Sequence, residues 1–244
     1  MVSKNIISKT LNEIIRVKHG FFYQNLGKVK DIVDSDEEYK ELKTAIWDWQ
    51  TRFHDAKEEH LKVKNMLGEE AEMSGDEESC WKTDEMRSIM DNSRLLYTLH
   101  NHPNVGCLVS SSDIVCMGDG CEKYSMVLGE DGIMIIKNPY EKFSKEEKEN
   151  LENVATATDR MLDDFIRKKH KDKFEKAEAK VLDESLSREE IIKTTRELTD
   201  FVNKEMGLIT KKNGDFFSKK LDKAFTDNQL DCKVFFIPKK KING

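Results

Sequence analysis

The chain contains no apolar run long enough to cross a membrane, and its first residues lack the apolar segment of a signal peptide. Its five cysteines form no C-x-x-C pair, and an odd number of scattered cysteines is typical of reduced thiols in a cytosol-like compartment. These absences predict a soluble, cytoplasmic protein that is neither exported nor inserted in a membrane.

The chain also lacks the excess of positive charge that nucleic-acid-binding proteins carry. Its formal net charge is -6 and its isoelectric point is near 5.7, so nucleic acid is not an expected partner. Internal repeats and low-complexity linkers are missing as well. Their absence favours helical arms that pack on a central domain over freely linked modules.

The sequence divides by texture into three parts. Apolar residues recur at helical spacing in the first and last parts, and short β-rich runs separated by glycine turns fill the middle. We therefore predict an α+β fold, with a central sheet and at least one helix packed on it. The predicted parts are a helical N-terminal arm at 1–55, a core at 56–140 and a mainly helical C-terminal extension at 141–244. The apolar stripes of the arms predict contacts with the core or with a second copy of the chain in a homo-oligomer.

The middle part contains two histidines that one strand would present together. Residues 95–99 (LLYTL) predict a buried strand, and His100 and His102 follow it two residues apart. Side chains alternate along a strand, so both imidazoles point to one face, about 7 Å apart at their Cα atoms. The helix predicted to begin near Ser110 would bring Asp113 close to them. Two histidines and one aspartate leave a fourth position open, which is typical of catalytic zinc.

These residues resemble a known motif. HNHP at residues 100–103, followed after six residues by SSSD at 110–113, resembles the JAMM motif of the JAB/MPN metalloprotease family, in the spelling of its bacterial, phage and RadC-like members. The resemblance covers roughly residues 56–140. It implies that this part is a metal-binding core of JAB/MPN-like (cytidine-deaminase-like) fold, a curved mixed sheet with helices on both sides. It also implies a Zn2+ ion held by His100, His102 and Asp113. It also implies peptidase or isopeptidase activity on a protein or peptide substrate, with a ubiquitin-like conjugate as one option.

Such enzymes also need a general base, which in this family is a glutamate on a strand upstream of the histidines. If EHLKVKN forms a strand, Glu59 shares an apolar, inward face with Leu61 and Val63, whereas Glu58 lies on the opposite, solvent-facing side. A carboxylate on an inward face is placed for catalysis, so we predict that Glu59 is the general acid/base. Glu58 and Glu72 are the alternatives.

Two further questions stay open at the level of the sequence. The resemblance implies that Ser110 stabilises the oxyanion of the transition state, but Ser110 is an equally good N-cap for the helix that follows. The alternative to an enzyme is a binding or assembly module, of phage, mobile-element or RadC-like type, that keeps the fold without turnover. An HNH nuclease would need another metal-binding histidine downstream, and the next one, His170, is too distant.

Overall fold

The computed structural model describes residues 23–53, 56–75, 83–103, 106–182 and 187–239. A 3-10 helix at Tyr23–Asp31 opens the described chain. The α-helices are α1 (Asp36–Phe53), α2 (Asp84–Asn92), α3 (Ser111–Gly120), α4 (Lys145–Lys169), α5 (Lys171–Val181), α6 (Arg188–Thr210) and α7 (Gly214–Asp227). The strands are β1 (His60–Asn65), β2 (Glu70–Ser74), β3 (Leu95–Asn101), β4 (Tyr124–Leu128), β5 (Gly132–Lys137) and β6 (Lys233–Pro238).

The strands form one mixed sheet in the order β2-β1-β3-β4-β5-β6. Every neighbouring pair is antiparallel except β3 and β4, which are parallel and are joined by α3. Parallel strands need such a crossover, because a tight turn reverses the chain direction and can join only antiparallel strands. The prediction of an α+β protein with a mixed sheet and flanking helices is confirmed.

Helices cover the sheet on both faces. One face, called here the α1 face, carries Tyr97 and Leu99 of β3 and is packed by the 3-10 helix and α1. The other, called the α4 face, carries Val127 of β4 and Met134 of β5 and is packed by α3, α4 and α7. The short helix α2 covers β1 and β2 through a smaller cluster. Because strand residues alternate between faces, Val127 of β4 packs on the α4 face while its neighbour Met126 packs on the α1 face.

Capping residues fix the helix starts that the sequence predicts. Ser110, Ser144 and Ser187 each form a capping box with the acidic residue three positions later. Thr83 accepts a hydrogen bond from the backbone N–H of Met86 at the start of α2. Each such cap satisfies N–H groups that have no partner within the helix and contributes about 0.5–2 kcal/mol.

Two predicted helix ends are wrong. Apolar residues at helical spacing after Ser144 predict one helix to about Lys173, but the chain leaves helical geometry at His170 (φ -124°, ψ 33°), where α4 ends. The His170 side chain turns instead to Glu205 of α6, with Nε2 2.6 Å from Oε2. Gly207 is typical of a helix C-cap and predicts the end of α6, yet the helix continues to Thr210 and buries Ile209. Burial in the core therefore outweighs the low helix propensity of one glycine.

The division at residues 55 and 140 stays a prediction. Both outer parts contact the sheet of the middle part, because α1 packs on one of its faces and β6 forms one of its edges. The apolar stripe at residues 6–15 lies outside the described residues. Within the described part of the chain, no helix is both long and apolar enough to span a membrane.

A carboxylate cluster ties α1 to the sheet and predicts sensitivity to acid. Burial raises the pKa of Glu38, but hydrogen bonds from Lys123 (2.5 Å) and Tyr124 (2.7 Å) outweigh it, so the pKa lies below its ordinary value. A lowered folded-state pKa stabilises the protein above the ordinary value of 4.5, and this contribution is lost as the pH falls. We expect Glu38→Gln to reduce the free energy of unfolding by about 1.5–3 kcal/mol at neutral pH.

Urea unfolding of the wild type and Glu38→Gln at neutral and acid pH measures this contribution. The difference between them should shrink as the pH falls, because the wild type then loses the same charge. Glu37→Gln is the matched control, since Glu37 is exposed on the same helix turn. An equal loss in both variants, or a difference independent of pH, would contradict the prediction.

Candidate metal centre

The two histidines lie side by side at the end of β3. His100 is the sixth residue of the strand, and His102 continues its extended path because its backbone N–H donates to the carbonyl oxygen of Leu128 (2.8 Å). The imidazole Nε2 atoms are 3.1 Å apart. Both side chains are largely shielded, with 6% and 16% of their surface exposed. The predicted common face of the pair is therefore confirmed.

Asp113 reaches the pair from the first turn of α3. Its Oδ2 accepts hydrogen bonds from the backbone N–H (2.8 Å) and hydroxyl (2.7 Å) of Ser110, which completes the capping box. Its Oδ1 lies 3.3 Å from Nε2 of His100, and Oδ2 lies 3.7 Å from Nε2 of His102. The cap occupies one carboxylate oxygen, so Oδ1 is the atom that Asp113 offers to an ion.

Two of these separations fit a zinc ion. Bonds of about 2.0–2.2 Å in a tetrahedral site place neighbouring ligand atoms about 3.3 Å apart. The Nε2–Nε2 distance of 3.1 Å and the His100 Nε2–Asp113 Oδ1 distance of 3.3 Å match that edge. Two imidazole nitrogens and a carboxylate oxygen are also ligands that zinc accepts readily.

Glu59 is the second carboxylate at the site. Its Oε1 lies 3.9 Å from Nε2 of His100, and only 14% of its side chain is exposed. Within the described residues, Glu59, His100 and His102 form a group that could hold a metal ion, with their ligand atoms within 4.8 Å of one another. Leu61 pairs with His100 across the strands, which puts Glu59 on the side of the sheet that carries the imidazoles.

Asn101, between the two histidines, holds the backbone on both sides of Glu59. Its side-chain oxygen accepts from the N–H of His60 (2.9 Å), and its amide donates to the carbonyl of Glu58 (3.0 Å). The side chain is buried. The sequence analysis missed this residue; its available signal was an amide placed between two candidate ligands.

The alternative glutamates lie elsewhere. Glu58 is exposed beside Glu59. Glu72 lies opposite Lys62 in the β1–β2 ladder, on the α1 face, and forms ion pairs with Arg52 and Lys62. The expectation that this side of β1 simply faces solvent is wrong, because Lys62 is buried and α1 reaches over it to Glu72 through Arg52.

The surroundings shift the pKa values of the two imidazoles in opposite directions. Burial lowers the pKa of His100, but the charge and hydrogen bond of Asp113 outweigh it and leave the pKa raised. Burial and the charge of His100 lower the pKa of His102 to about 4, although hydrogen bonds to the backbone of Gly106 and Leu108 oppose the shift. His102 is therefore neutral near pH 7, as a metal ligand must be, and backbone hydrogen bonds of this kind orient ligand imidazoles.

Asp113 stays ionised. Burial raises its pKa, but the charge of His100 and its hydrogen bond lower the pKa well below the ordinary range. Its place in the first turn of α3 adds the favourable end of the helix dipole.

A polar layer beneath the site was also missed. Thr98, two residues before His100 on the same face, donates to the carboxylate of Glu122 (3.0 Å) and contacts the hydroxyl of Ser125 (3.4 Å). All three residues are buried. Glu122 and Ser125 lie in a loop and a neighbouring strand, so only the parallel pairing of β3 with β4 brings them here.

Two long-range contacts hold the backbone at Gly106 and Cys107. The N–H of Gly106 donates to Thr210 at the end of α6 (3.0 Å), and the N–H of Cys107 donates to Asp131 in the β4–β5 turn (2.8 Å). A side chain at Gly129 would meet the backbone N of Cys107 at 2.1 Å, so this close approach requires glycine.

Comparison of the chain with models of protein families, with curated proteins and with solved structures found no match. A function is therefore inferred from the arrangement of these side chains and from the resemblance of the HNHP and SSSD segments. The arrangement has two parts, a donor set suited to a divalent metal ion and a carboxylate beside it that can exchange a proton.

Proposed function

We propose that the chain is a zinc-dependent peptidase or isopeptidase of the JAB/MPN type. The observation that carries the proposal is the placement of His102 Nε2 and Asp113 Oδ1 at 3.1 and 3.3 Å from Nε2 of His100, close to the edge length of a zinc tetrahedron. Oε1 of Glu59 lies 3.9 Å from the same nitrogen. The mixed sheet, with α3 crossing between parallel strands and starting at the site, supports the same assignment.

Each residue then has a chemical role. His100, His102 and Asp113 would hold zinc, which when bound lowers the pKa of water to about 7 and polarises the scissile carbonyl. Glu59 would accept the proton of the attacking water and deliver it to the leaving amine. Oε1 of Glu59 lies 3.9 Å from Nε2 of His100, whereas Oδ1 of Asp113 lies 3.3 Å from it. The longer distance supports a role for Glu59 as a base and not as a ligand. Asn101 would keep the Glu59 backbone in place.

Ser110 has two proposed roles, one in orienting Asp113 and one in contacting the oxyanion. Its hydroxyl donates to Asp113 (2.7 Å) and accepts from the Asp113 N–H (3.2 Å), so the hydroxyl is used by the helix cap. We propose that its first role is to orient Asp113. We propose contact with the oxyanion as its second role, which would require the hydroxyl to turn away from the carboxylate.

One observation favours a second candidate, a metal-bearing binding or assembly module without turnover. Glu59 belongs to the group of three side chains close enough to share an ion with both histidines. If Glu59 bound zinc together with Asp113, four protein ligands would close the site, as in structural zinc centres.

Zinc-dependent cleavage separates the two candidates. Purified protein would be stripped with a chelator, reloaded with zinc and incubated with a mixture of unstructured peptides and with isopeptide-linked ubiquitin chains. The enzyme proposal predicts new amine ends, detected by mass spectrometry, only in the reloaded sample. Bound zinc without cleavage of either substrate would favour the module.

A further inference from the structure

A large surface groove lies away from the metal centre, between α4, α6 and α7. Its volume is about 1440 Å³, more than the roughly 300–1,000 Å³ of sites for small molecules. Six large apolar side chains line it, and two of them, Leu208 and Phe216, are each 41% exposed. The others include Met161 and Phe165, and the Phe165 and Phe216 rings lie 5.8 Å apart. A contiguous exposed apolar surface of this kind marks an interaction site.

The charges around the groove are of one dominant sign. Two of the lysines that line it are already paired, Lys169 with Glu205 and Lys223 with Asp227. Four other cations on its wall form no ion pair with any residue that the structure describes: Arg160, Lys168, Lys212 and Lys220. The groove is therefore basic on a chain whose net charge is -6.

Its composition favours an acidic peptide over nucleic acid. Asp164 also lines the groove and forms no ion pair with any residue that the structure describes, so its carboxylate would repel a continuous phosphate backbone. The apolar floor would contact large aliphatic or aromatic side chains, whereas the unpaired cations would contact carboxylates at the edge. An amphipathic segment docked in a groove presents this pattern, with apolar anchors inward and charges at the rim.

We propose that the groove between α4, α6 and α7 binds an acidic, amphipathic peptide segment of a partner protein. The segment's apolar side chains cover Phe165, Phe216 and Leu208, and its carboxylates pair with Lys168 and Lys220 and their neighbours. Thr210, next to the groove residue Ile209, accepts a hydrogen bond from the N–H of Gly106, four residues after His102. The binding itself needs neither metal nor catalysis.

The test uses a labelled synthetic helix with leucines at positions i, i+3, i+4 and i+7 of each repeat and glutamates between them. Fluorescence anisotropy would measure its binding to the full chain. The double variant Lys168→Glu/Lys220→Glu should weaken binding about tenfold or more, since two favourable rim charges become repulsive. Phe216→Ala should also weaken it, and circular dichroism would check that this half-exposed position leaves the fold intact.

The matched control is Lys28→Glu/Lys40→Glu, an equal charge change on the 3-10 helix and α1, across the sheet from the groove. It should bind the probe as the wild type does, and so should wild type treated with a chelator. Equal weakening in both double variants would overturn the proposal, as would equal binding of a probe with its leucines replaced by serine. Tighter binding of a single-stranded oligonucleotide than of the peptide would also overturn it.

Discussion

Replacing Glu59 with glutamine should lower zinc-dependent hydrolysis by about 10²–10⁴-fold and leave the bound zinc in place. Glutamine keeps the length and shape of the side chain but cannot accept a proton. In the proposed site His100, His102 and Asp113 would supply three ligands, with separations of 3.1 and 3.3 Å around Nε2 of His100, so the ion would not depend on Glu59. The predicted signature is therefore a loss of turnover without a loss of metal.

The measurement compares rates and zinc content for Glu59→Gln, Glu58→Gln and the wild type under the same conditions. Glu58 is the matched control, since it is the adjacent glutamate but is exposed to solvent. Its variant should retain both activity and metal. If Glu59→Gln instead lost zinc together with activity, Glu59 would be a fourth ligand, and the closed-site candidate would gain support.

Much of the fold follows from local patterns. An apolar run with β-forming residues predicts the strand of the histidine pair, the Asp131-Gly132 turn predicts the hairpin of β4 and β5, and Ser-x-x-acid boxes predict capped helix starts. These signals span a few residues, so they survive without knowledge of the rest of the chain. The end of α4 at His170 does not have such a signal, since the contacts that accompany it are with Glu205 and Phe201, more than thirty residues away.

The site divides in the same way. The shared face of His100 and His102, and the shared face of Glu59, Leu61 and Val63, follow from strand alternation alone. The sequence could not show how β1 aligns with β3, because pairing register depends on long-range contacts. Asn101 illustrates this, since its hydrogen bonds to the backbone beside Glu59 exist only in the observed register. The buried Glu122 reaches Thr98 only through the crossover by α3.

The ion pairs of β1 show where pattern reading failed. Alternating charges at Lys62 and Lys64 are typical of a solvated strand face, and they were interpreted as such. In the folded chain Lys62 is buried and paired with Glu70 and Glu72, and Lys64 contacts Glu41 of α1 (2.7 Å). A periodic pattern identifies which residues share a face, but it does not identify what covers that face.

Replacing His102 with alanine should abolish the binding of zinc. The variant loses one of two converging imidazoles, and the remaining ligands cannot complete the tetrahedron that the distances of 3.1 and 3.3 Å define. We expect about one zinc ion per wild-type chain. Zinc that binds only the folded state should stabilise the wild type by about 2.7 kcal/mol at a free concentration of roughly 100 times Kd, and should leave His102→Ala unchanged.

Thermal unfolding of each protein with zinc and with a chelator measures this, and the comparison within one variant cancels any damage from losing a buried imidazole. His60→Ala is the matched control: His60 belongs to β1, next to the site in sequence, but it faces α1, where it stacks on Phe53 at 3.9 Å and its Nδ1 lies 2.8 Å from the hydroxyl of Ser74. It should keep the full zinc-dependent shift. A wild type that gains neither zinc nor stability on titration would contradict the proposed metal centre. The proposed enzyme would be contradicted as well, because Glu59 would then have no zinc-bound water to deprotonate.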